Sequence, residues 1–267
     1  MSSSSSGSGG ELLIDEPAPH VARLVISNPE KRGALDHAIL DRFTASMSTL
    51  QARCVIITGR GTTFSAGYDI GDLPVREPAH QAEQLVAHPF AAALEAIEAY
   101  PYPTVAALNG HTIGCGLELA LSCDLRIAAF QMKLAMPPAK LGLVYSHTGI
   151  RKFIDAIGAP RTRELFFSGR AIDAQTAHSW GLVNSVVELE ELERSALALA
   201  AEIAANAPLS QSGNKRVISA VLADRARLDL EVERQLLELR ANSFASEDFR
   251  EGVRAFAEKR PPQWKGR

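Results

Sequence analysis

Short apolar runs rich in valine, isoleucine and leucine alternate with helical patterns along the first two thirds of the chain. The runs predict strands at Leu12–Ile14, Val21–Ser27, Cys54–Thr58, Thr104–Leu108, Leu125–Ala129 and Asn184–Val187. Helical periodicity fills intervals near His37–Leu50, Gln81–Ala99 and Leu117–Cys123. Strands that alternate with helices favour parallel pairing through crossover connections. The sequence therefore predicts an α/β core.

After about residue 188 the strand signal stops. Four successive amphipathic helices are predicted at Leu189–Ala205, Leu209–Ala226, Leu228–Ala245 and Asp248–Lys259. The first ten residues are almost entirely serine and glycine, which is typical of a flexible tail. We therefore expect a tail at 1–10, a core at 11–205 and a helical C-terminal region at 206–267.

Composition and charge narrow the function classes. A net charge of −3 gives no reason to expect a nucleic acid or a membrane surface as a partner. No apolar stretch approaches the length of a membrane span. The three cysteines lack the paired spacing of a metal or redox motif, and the seven histidines are scattered. We expect a cytoplasmic protein without a metal site.

Two glycine-bearing turns some fifty residues apart carry the strongest chemical signal. They are Phe64–Ile70 and Asn109–Glu118, and each follows an apolar run. Such turns can aim backbone N–H groups at one ligand oxygen. Preorganised donors of this kind stabilise an oxyanion, and each contributes roughly 3–4 kcal/mol to lowering a barrier. Together the turns predict an oxyanion hole.

These turns form part of a longer set of ordered motifs. The others are Leu119–Asp124, Ala174–Val187 and the ending Ser246–Arg260. The set resembles the crotonase (enoyl-CoA hydratase/isomerase) superfamily over nearly the entire chain. That resemblance implies a spiral of ββα units with a helical C-terminal region, acyl-CoA thioester substrates, enolate chemistry, and assembly into homotrimers or hexamers.

The same resemblance implies roles for particular residues. The oxyanion donors match the backbone N–H groups of Tyr68 and Cys115, although the second position is usually glycine in the family. Glu118 matches a glutamate that hydratases and isomerases use as an acid or base. Contacts with the substrate or its CoA are implied for Ala66, Gly67, Tyr68, Asp69, Ile70, Cys115, Pro137 and Lys259.

Two departures from the hydratase pattern favour another reaction. Hydratases use a second glutamate about twenty residues after the first, and Pro138 stands at that position. Tyr145 follows, as in the methylmalonyl-CoA decarboxylase branch, where the matching tyrosine is associated with the substrate carboxylate. A phenol is neutral at pH 7 and can donate a hydrogen bond there. We therefore predict decarboxylation of a short 2-carboxyacyl-CoA, with Glu118 in a supporting role and without a metal or redox cofactor.

The residues leave alternatives open. Glu118 as the only acid or base would suit an enoyl-CoA hydratase or double-bond isomerase. A non-catalytic homologue that binds acyl-CoA or RNA is a further alternative, although no basic stripe favours the RNA version. The sequence does not select among water, Tyr145 and His147 as the proton donor to the enolate. It also leaves open the acyl group and the protonation state of Glu118.

Overall fold

A computed structural model describes residues 9–69, 79–224 and 228–267, with the backbone alone for 79–86 and 224. Its strands are β1 (Glu11–Ala18), β2 (Val21–Ser27), β3 (Cys54–Gly59), β4 (Thr63–Ser65), β5 (Thr104–Leu108), β6 (His111–Ile113), β7 (Leu125–Ala129), β8 (Lys133–Ala135), β9 (Ile172–Asp173) and β10 (Ser185–Val187). Its helices are α1 (His37–Thr49), α2 (Ala79–Ala99), α3 (Cys115–Ser122), α4 (His147–Ser168), α5 (Ala174–Ser179), α6 (Leu189–Ala205), α7 (Pro208–Asp224), α8 (Leu230–Ala245) and α9 (Glu247–Ala257).

The strands form two sheets. The larger has the order β1-β2-β3-β5-β7-β10 and is parallel except for the β1–β2 pair, while the smaller has the order β4-β6-β8-β9. Successive strands alternate between the sheets: β3, β5 and β7 belong to the larger one, and β4, β6 and β8 to the smaller one. Helices α2 and α3 follow the first two of these strand pairs. This succession is the predicted spiral of ββα units.

Both faces of the larger sheet are covered, which explains the continuous apolar runs of its strands. In β3, Val55 and Ile57 point into the main core, whereas Cys54 and Ile56 join a second cluster with α6. Alternate residues of a strand face opposite sides, so each side needs its own apolar set. Helix α6 is therefore part of the packing of the sheet.

The sequence prediction was wrong about the interior of the glycine-bearing segments. Each was predicted as a turn, but β4 overlaps the start of the first segment and β6 lies within the second, shortly before Gly67 and Gly114. These strands have three residues each, too few for a periodic pattern to form. Their parallel pairing, with Ser65 opposite Thr112, brings the two segments side by side.

The C-terminal helices return to the core. Helix α8 packs against α2, and α9 packs against a 3₁₀ turn at Pro138–Leu141. Among the helices in the described ranges, none has the length and apolar character needed to cross a lipid bilayer. The division at residues 205 and 206 stays a prediction.

Candidate active site

The two glycine-bearing segments meet at the start of α3. Gly67 and Gly114 have φ angles of 97° and 57°, which favour glycine. A Cβ atom added to Gly67 would lie 2.9 Å from the carbonyl oxygen of Ile113 and 3.5 Å from the backbone nitrogen of Cys115. The close approach of the two backbones therefore requires glycine at position 67.

Pairing with Leu35 sets the direction of the Tyr68 amide. The Leu35 N–H donates to the Gly67 carbonyl (2.8 Å), and the Asp69 N–H donates to the Leu35 carbonyl (3.2 Å). In a planar peptide the N–H lies opposite the C=O, so the Tyr68 N–H points away from Leu35. It is directed towards Cys115, and its hydrogen bond to the Cys115 thiol lowers the pKa of that thiol.

Cys115 fits the position that is usually glycine in the family. It is the first residue of α3 with an ordinary helical backbone, and Gly114 before it takes the positive φ. The first N–H groups of a helix have no partner within the helix and carry its positive end. Because Gly114 takes the positive φ, a side chain at position 115 costs no backbone strain. Burial raises the pKa of the Cys115 thiol to about 11, so the thiol is neutral.

Glu118, one turn into α3, is 3% exposed and lines the same cavity. Burial raises the pKa of its carboxyl above the ordinary value. A hydrogen bond from Tyr145 and the charges of Lys152 and Arg240 oppose this shift, while Glu98 adds to it. The carboxyl therefore keeps its proton to a higher pH than an exposed glutamate.

Tyr145 connects Glu118 with the start of α3, where the two glycine-bearing segments meet. Its hydroxyl donates to the Glu118 carboxyl and lies 3.6 Å from the Cys115 sulfur. Burial raises the pKa of Tyr145 well above its ordinary value, so the phenol stays neutral. Its ring packs edge-on against Phe166, with centroids 5.6 Å apart. The three side chains form one bonded group.

Gly149 leaves the space that the side chains of Tyr145 and Glu118 occupy. Gly149 lies in the first turn of α4, and its N–H donates to the hydroxyl of the N-cap residue Ser146 (3.1 Å). A Cβ atom at Gly149 would lie 2.6 Å from the Tyr145 ring and 2.8 Å from Glu118 Oε1. A larger residue cannot occupy position 149 without displacing the bonded pair.

A cavity of about 1500 Å³ contains most of the predicted site. The predicted residues on its wall are Ala66, Gly67, Tyr68, Asp69, Cys115, Glu118, Pro137 and Tyr145. Pro138 also faces it, so the position of the second hydratase carboxylate is at the cavity but holds proline. Ile70 lies outside the described residues. Lys259 is exposed after α9 and is not among the described residues that line the cavity, so its contact with CoA stays a prediction.

Charged side chains that the sequence reasoning did not assign to this cavity also line it. Lys152 pairs with Glu98 and donates to the Ser122 hydroxyl (2.9 Å). Arg240 of α8 stacks on the Tyr145 ring, 5.9 Å from its centroid. No local motif distinguishes these residues, because their helices present many charged positions. Within the described ranges, no three histidine, cysteine or acidic side chains converge as a metal site.

Known proteins resemble the chain over nearly its full length. The family model described as enoyl-CoA hydratase/isomerase matches residues 17–267. A probable enoyl-CoA hydratase of Bacillus subtilis (strain 168) is 34% identical over 96% of this chain and 98% of its own. The 2,3-dehydroadipyl-CoA hydratase of Escherichia coli (strain K12) is 30% identical over 96% and 99%.

Solved structures share the fold. A methylmalonyl-CoA decarboxylase in complex with 2-nitronate-propionyl-CoA is 29% identical, with a TM-score of 0.87 over 96% of this chain and 98% of that chain. An enoyl-CoA hydratase from Bacillus anthracis is 31% identical, with a TM-score of 0.75 over 96% and 99%. By sequence and by fold, the chain belongs to the enoyl-CoA hydratase/isomerase family of the crotonase superfamily.

Proposed function

We propose that this enzyme decarboxylates a short 2-carboxyacyl-CoA of the methylmalonyl-CoA type. The observation that carries the proposal is that the carboxyl of Glu118 is buried beside the two glycine-bearing segments, where burial raises its pKa, while Pro138 occupies the other carboxylate position. Two ionised carboxylates about 4 Å apart repel by about 4 kcal/mol at an effective dielectric of 20. A protonated Glu118 avoids that repulsion with the substrate.

The proposed reaction has two steps. The bond from the α-carbon to the carboxylate breaks, its electron pair moves into the thioester enolate, and carbon dioxide leaves. The N–H groups of Tyr68 and Cys115 bind the enolate oxygen, for which the Tyr68 N–H exchanges its bond to the Cys115 thiol, and the positive end of α3 adds to their effect. Glu118 then gives its proton to the α-carbon and is reprotonated from solvent. These groups supply the polar chemistry of both steps, and we propose that no metal or redox cofactor takes part.

In this proposal Tyr145 is a positioning residue for Glu118. A phenol has one O–H to donate, and the Tyr145 hydroxyl donates it to the Glu118 carboxyl. That bond fixes the orientation of the acid and leaves the other carboxyl oxygen to carry the proton. The predicted direct contact of Tyr145 with the substrate carboxylate stays a prediction.

Likeness to the decarboxylase also supports the proposal. Its TM-score exceeds that of the Bacillus anthracis hydratase, although the hydratase has the higher sequence identity. The fold of the whole chain is therefore more similar to that decarboxylase than to this hydratase.

The second candidate is an enoyl-CoA hydratase or isomerase. The sequence relatives named above are hydratases, and Glu98 is another carboxylate on the cavity wall. Glu98 is half-exposed and ion-paired with Lys152, in contrast to Glu118. A hydratase that uses both carboxylates would lose activity when either is neutralised.

The test is incubation of the purified protein with methylmalonyl-CoA, malonyl-CoA and crotonyl-CoA. We expect release of carbon dioxide and formation of propionyl-CoA from the first. Glu118→Gln should abolish this activity, and the matched variant Glu98→Gln should keep it within about five-fold of wild type. Hydration of crotonyl-CoA without any loss of carbon dioxide would overturn the proposal in favour of the second candidate.

We further propose that copies of this chain assemble as a homotrimer or hexamer through the helical C-terminal region. Leu209, Val217, Ile218 and Leu230 are 87%, 62%, 60% and 83% exposed. Exposed apolar patches of this kind mark protein contacts. Light scattering should give a mass of three or six chains, and a monomer at micromolar concentration would refute the assembly.

A further inference from the structure

A chain of hydrogen bonds joins the main chain of Glu118 to two further helices. Lys152 of α4 pairs with the Glu98 carboxylate of α2 and donates to the Ser122 hydroxyl at the end of α3 (2.9 Å). The Ser122 hydroxyl donates in turn to the backbone carbonyl of Glu118, one turn earlier in α3 (3.2 Å). An ammonium group can only donate, so the serine oxygen accepts from Lys152 and its own hydrogen remains for Glu118. The turn of α3 that carries the acid is therefore bonded to α4 and, through Lys152, to α2.

The surroundings of this chain strengthen it. Ser122 is 6% exposed, and the side chain of Lys152 is 20% exposed. Hydrogen bonds from a charged donor are stronger than those between neutral groups. Helix α4 begins two residues after Tyr145, so one segment holds Glu118 at two points. Tyr145 bonds to its carboxyl, and Lys152 bonds to its main chain by way of Ser122.

We infer that Lys152 is a positioning residue for Glu118, which it holds through Ser122 in the turn of α3 that faces the cavity. The inference deepens the proposed function and rests on it, because it assigns the residue that keeps the acid of that reaction in place. In this role Lys152 acts through Ser122 and Glu118 and does not bind the substrate. Loss of Lys152 should therefore lower kcat and leave KM nearly unchanged.

The ion pair also sets the charge around Glu118. Ionisable and charged groups interact with the Glu118 carboxyl from each surrounding segment, and these are Cys115 of α3, Tyr145, Lys152 of α4, Glu98 of α2 and Arg240 of α8. Lys152 lowers the pKa of Glu118, whereas Glu98 raises it. Removing Lys152 also leaves the Glu98 charge uncompensated, so both effects raise the pKa of Glu118. Removing the charge of Glu98 should lower it.

The first test measures kcat and KM for decarboxylation of methylmalonyl-CoA. Lys152→Met should lose about five-fold or more in kcat, with KM within about two-fold of wild type. Ser122→Ala breaks the same chain and keeps every charge, so it should lose about three-fold or more in kcat. The matched control is Arg151→Met, because Arg151 is the neighbour of Lys152 in α4 and pairs with Asp155 (3.5 Å), but is not among the described residues that line the cavity. It should leave both constants unchanged.

The second test needs no substrate. Infrared titration follows the protonated carboxyl of Glu118, and the Glu118→Gln variant identifies its band. Lys152→Met should move this titration upward by about half a pH unit or more, and Glu98→Gln should move it downward. Arg151→Met should leave it in place.

The outcomes separate positioning from the other roles that Lys152 could have. A raised KM with unchanged kcat in Lys152→Met would overturn the inference in favour of direct contact with the substrate. A lower Tm with unchanged kcat and an unchanged titration would overturn it in favour of a purely structural ion pair. If Lys152→Met does not fold, an unchanged kcat in Ser122→Ala overturns it instead.

Failure of the decarboxylase proposal would be recognised separately. If methylmalonyl-CoA releases no carbon dioxide, the same kcat comparison is made on the hydration of crotonyl-CoA, the reaction of the second candidate. Loss of kcat there in Lys152→Met, together with opposite infrared shifts in Lys152→Met and Glu98→Gln, would support the positioning role, and the decarboxylase proposal alone would fail.

Discussion

Replacing Gly149 with alanine tests whether the contact between Tyr145 and Glu118 is as closely packed as the structure indicates. The added methyl carbon would lie 2.6 Å from the Tyr145 ring and 2.8 Å from both Glu118 Oε1 and Ser146 Oγ. Ordinary carbon contacts are about 3.5–4.0 Å long, so the buried ring and the acid must shift. Overpacking of this kind costs about 1–3 kcal/mol.

The higher helix propensity of alanine opposes this loss of stability, and a second glycine-to-alanine substitution measures that propensity by itself. Alanine is favoured over glycine inside a helix by about 0.5–1 kcal/mol. Gly213 in α7 has no atom within 4 Å of an added Cβ, so Gly213→Ala should show that gain alone. We expect Gly149→Ala to be about 1–2 kcal/mol less stable than wild type. This difference corresponds to a Tm about 2–8 °C lower for a chain of this size.

The assay combines thermal unfolding with the rate of decarboxylation. A displacement of about 1 Å at reacting groups can cost as much as about 100-fold in rate, so Gly149→Ala should lose at least ten-fold. Gly213→Ala should melt slightly higher and keep full activity. If Gly149→Ala behaves like Gly213→Ala in both measurements, the packed contact between Tyr145 and Glu118 is refuted.

Three further substitutions have defined outcomes. Tyr145→Phe removes the hydroxyl that orients Glu118, and we expect a rate at least ten-fold lower, or about 1.4 kcal/mol of lost transition-state stabilisation; an unchanged rate would remove Tyr145 from the mechanism. Glu118→Gln should remove a pH dependence of stability, because the raised pKa makes the folded wild type bind more protons and lose stability as pH rises above the ordinary value of 4.5. Urea unfolding between pH 5 and 9 measures this slope, and identical slopes in the two proteins would contradict the raised pKa. Lys215→Met should cost about 1–3 kcal/mol in the same unfolding assay, since Lys215 is 10% exposed and donates to Asp124 at 2.8 Å, whereas Arg194→Met, in an exposed pair, should have little effect.

The sequence predicted the parts of the fold whose signal is long and continuous. Strands such as β3 and β5 are apolar on both faces because α6 covers one face and the main core the other. The short strands β4, β6 and β8 escaped prediction because pairing across the chain, rather than local pattern, defines a strand of three residues.

The candidate site also has parts that the sequence could indicate and parts that it could not. The two glycine-bearing segments could be located from the sequence because their glycines mark them, and the structure brings the backbones of Gly67 and Cys115 close together there. The roles of the Tyr68 and Cys115 N–H groups as oxyanion donors were implied by the family resemblance and stay a prediction.

The bond between Tyr145 and Glu118 could not be predicted, because these residues are 27 positions apart and the start of α4 brings them together. Arg240 was further from prediction, since only the return of α8 to the core carries it to the cavity.

The protonation state of Glu118 links these observations to the choice of reaction. A neutral carboxyl can give a proton to an enolate, but it cannot take one from water. A decarboxylase that uses Glu118 as its acid therefore loses activity as pH rises through the raised pKa of Glu118. A hydratase that uses Glu118 as its base gains activity over the same range. Tyr145 influences the pH at which this change in activity occurs, because its hydrogen bond lowers the pKa of Glu118. Removing the hydroxyl should thus move the change in activity to higher pH in either enzyme. Whether activity falls or rises with pH distinguishes the two reactions.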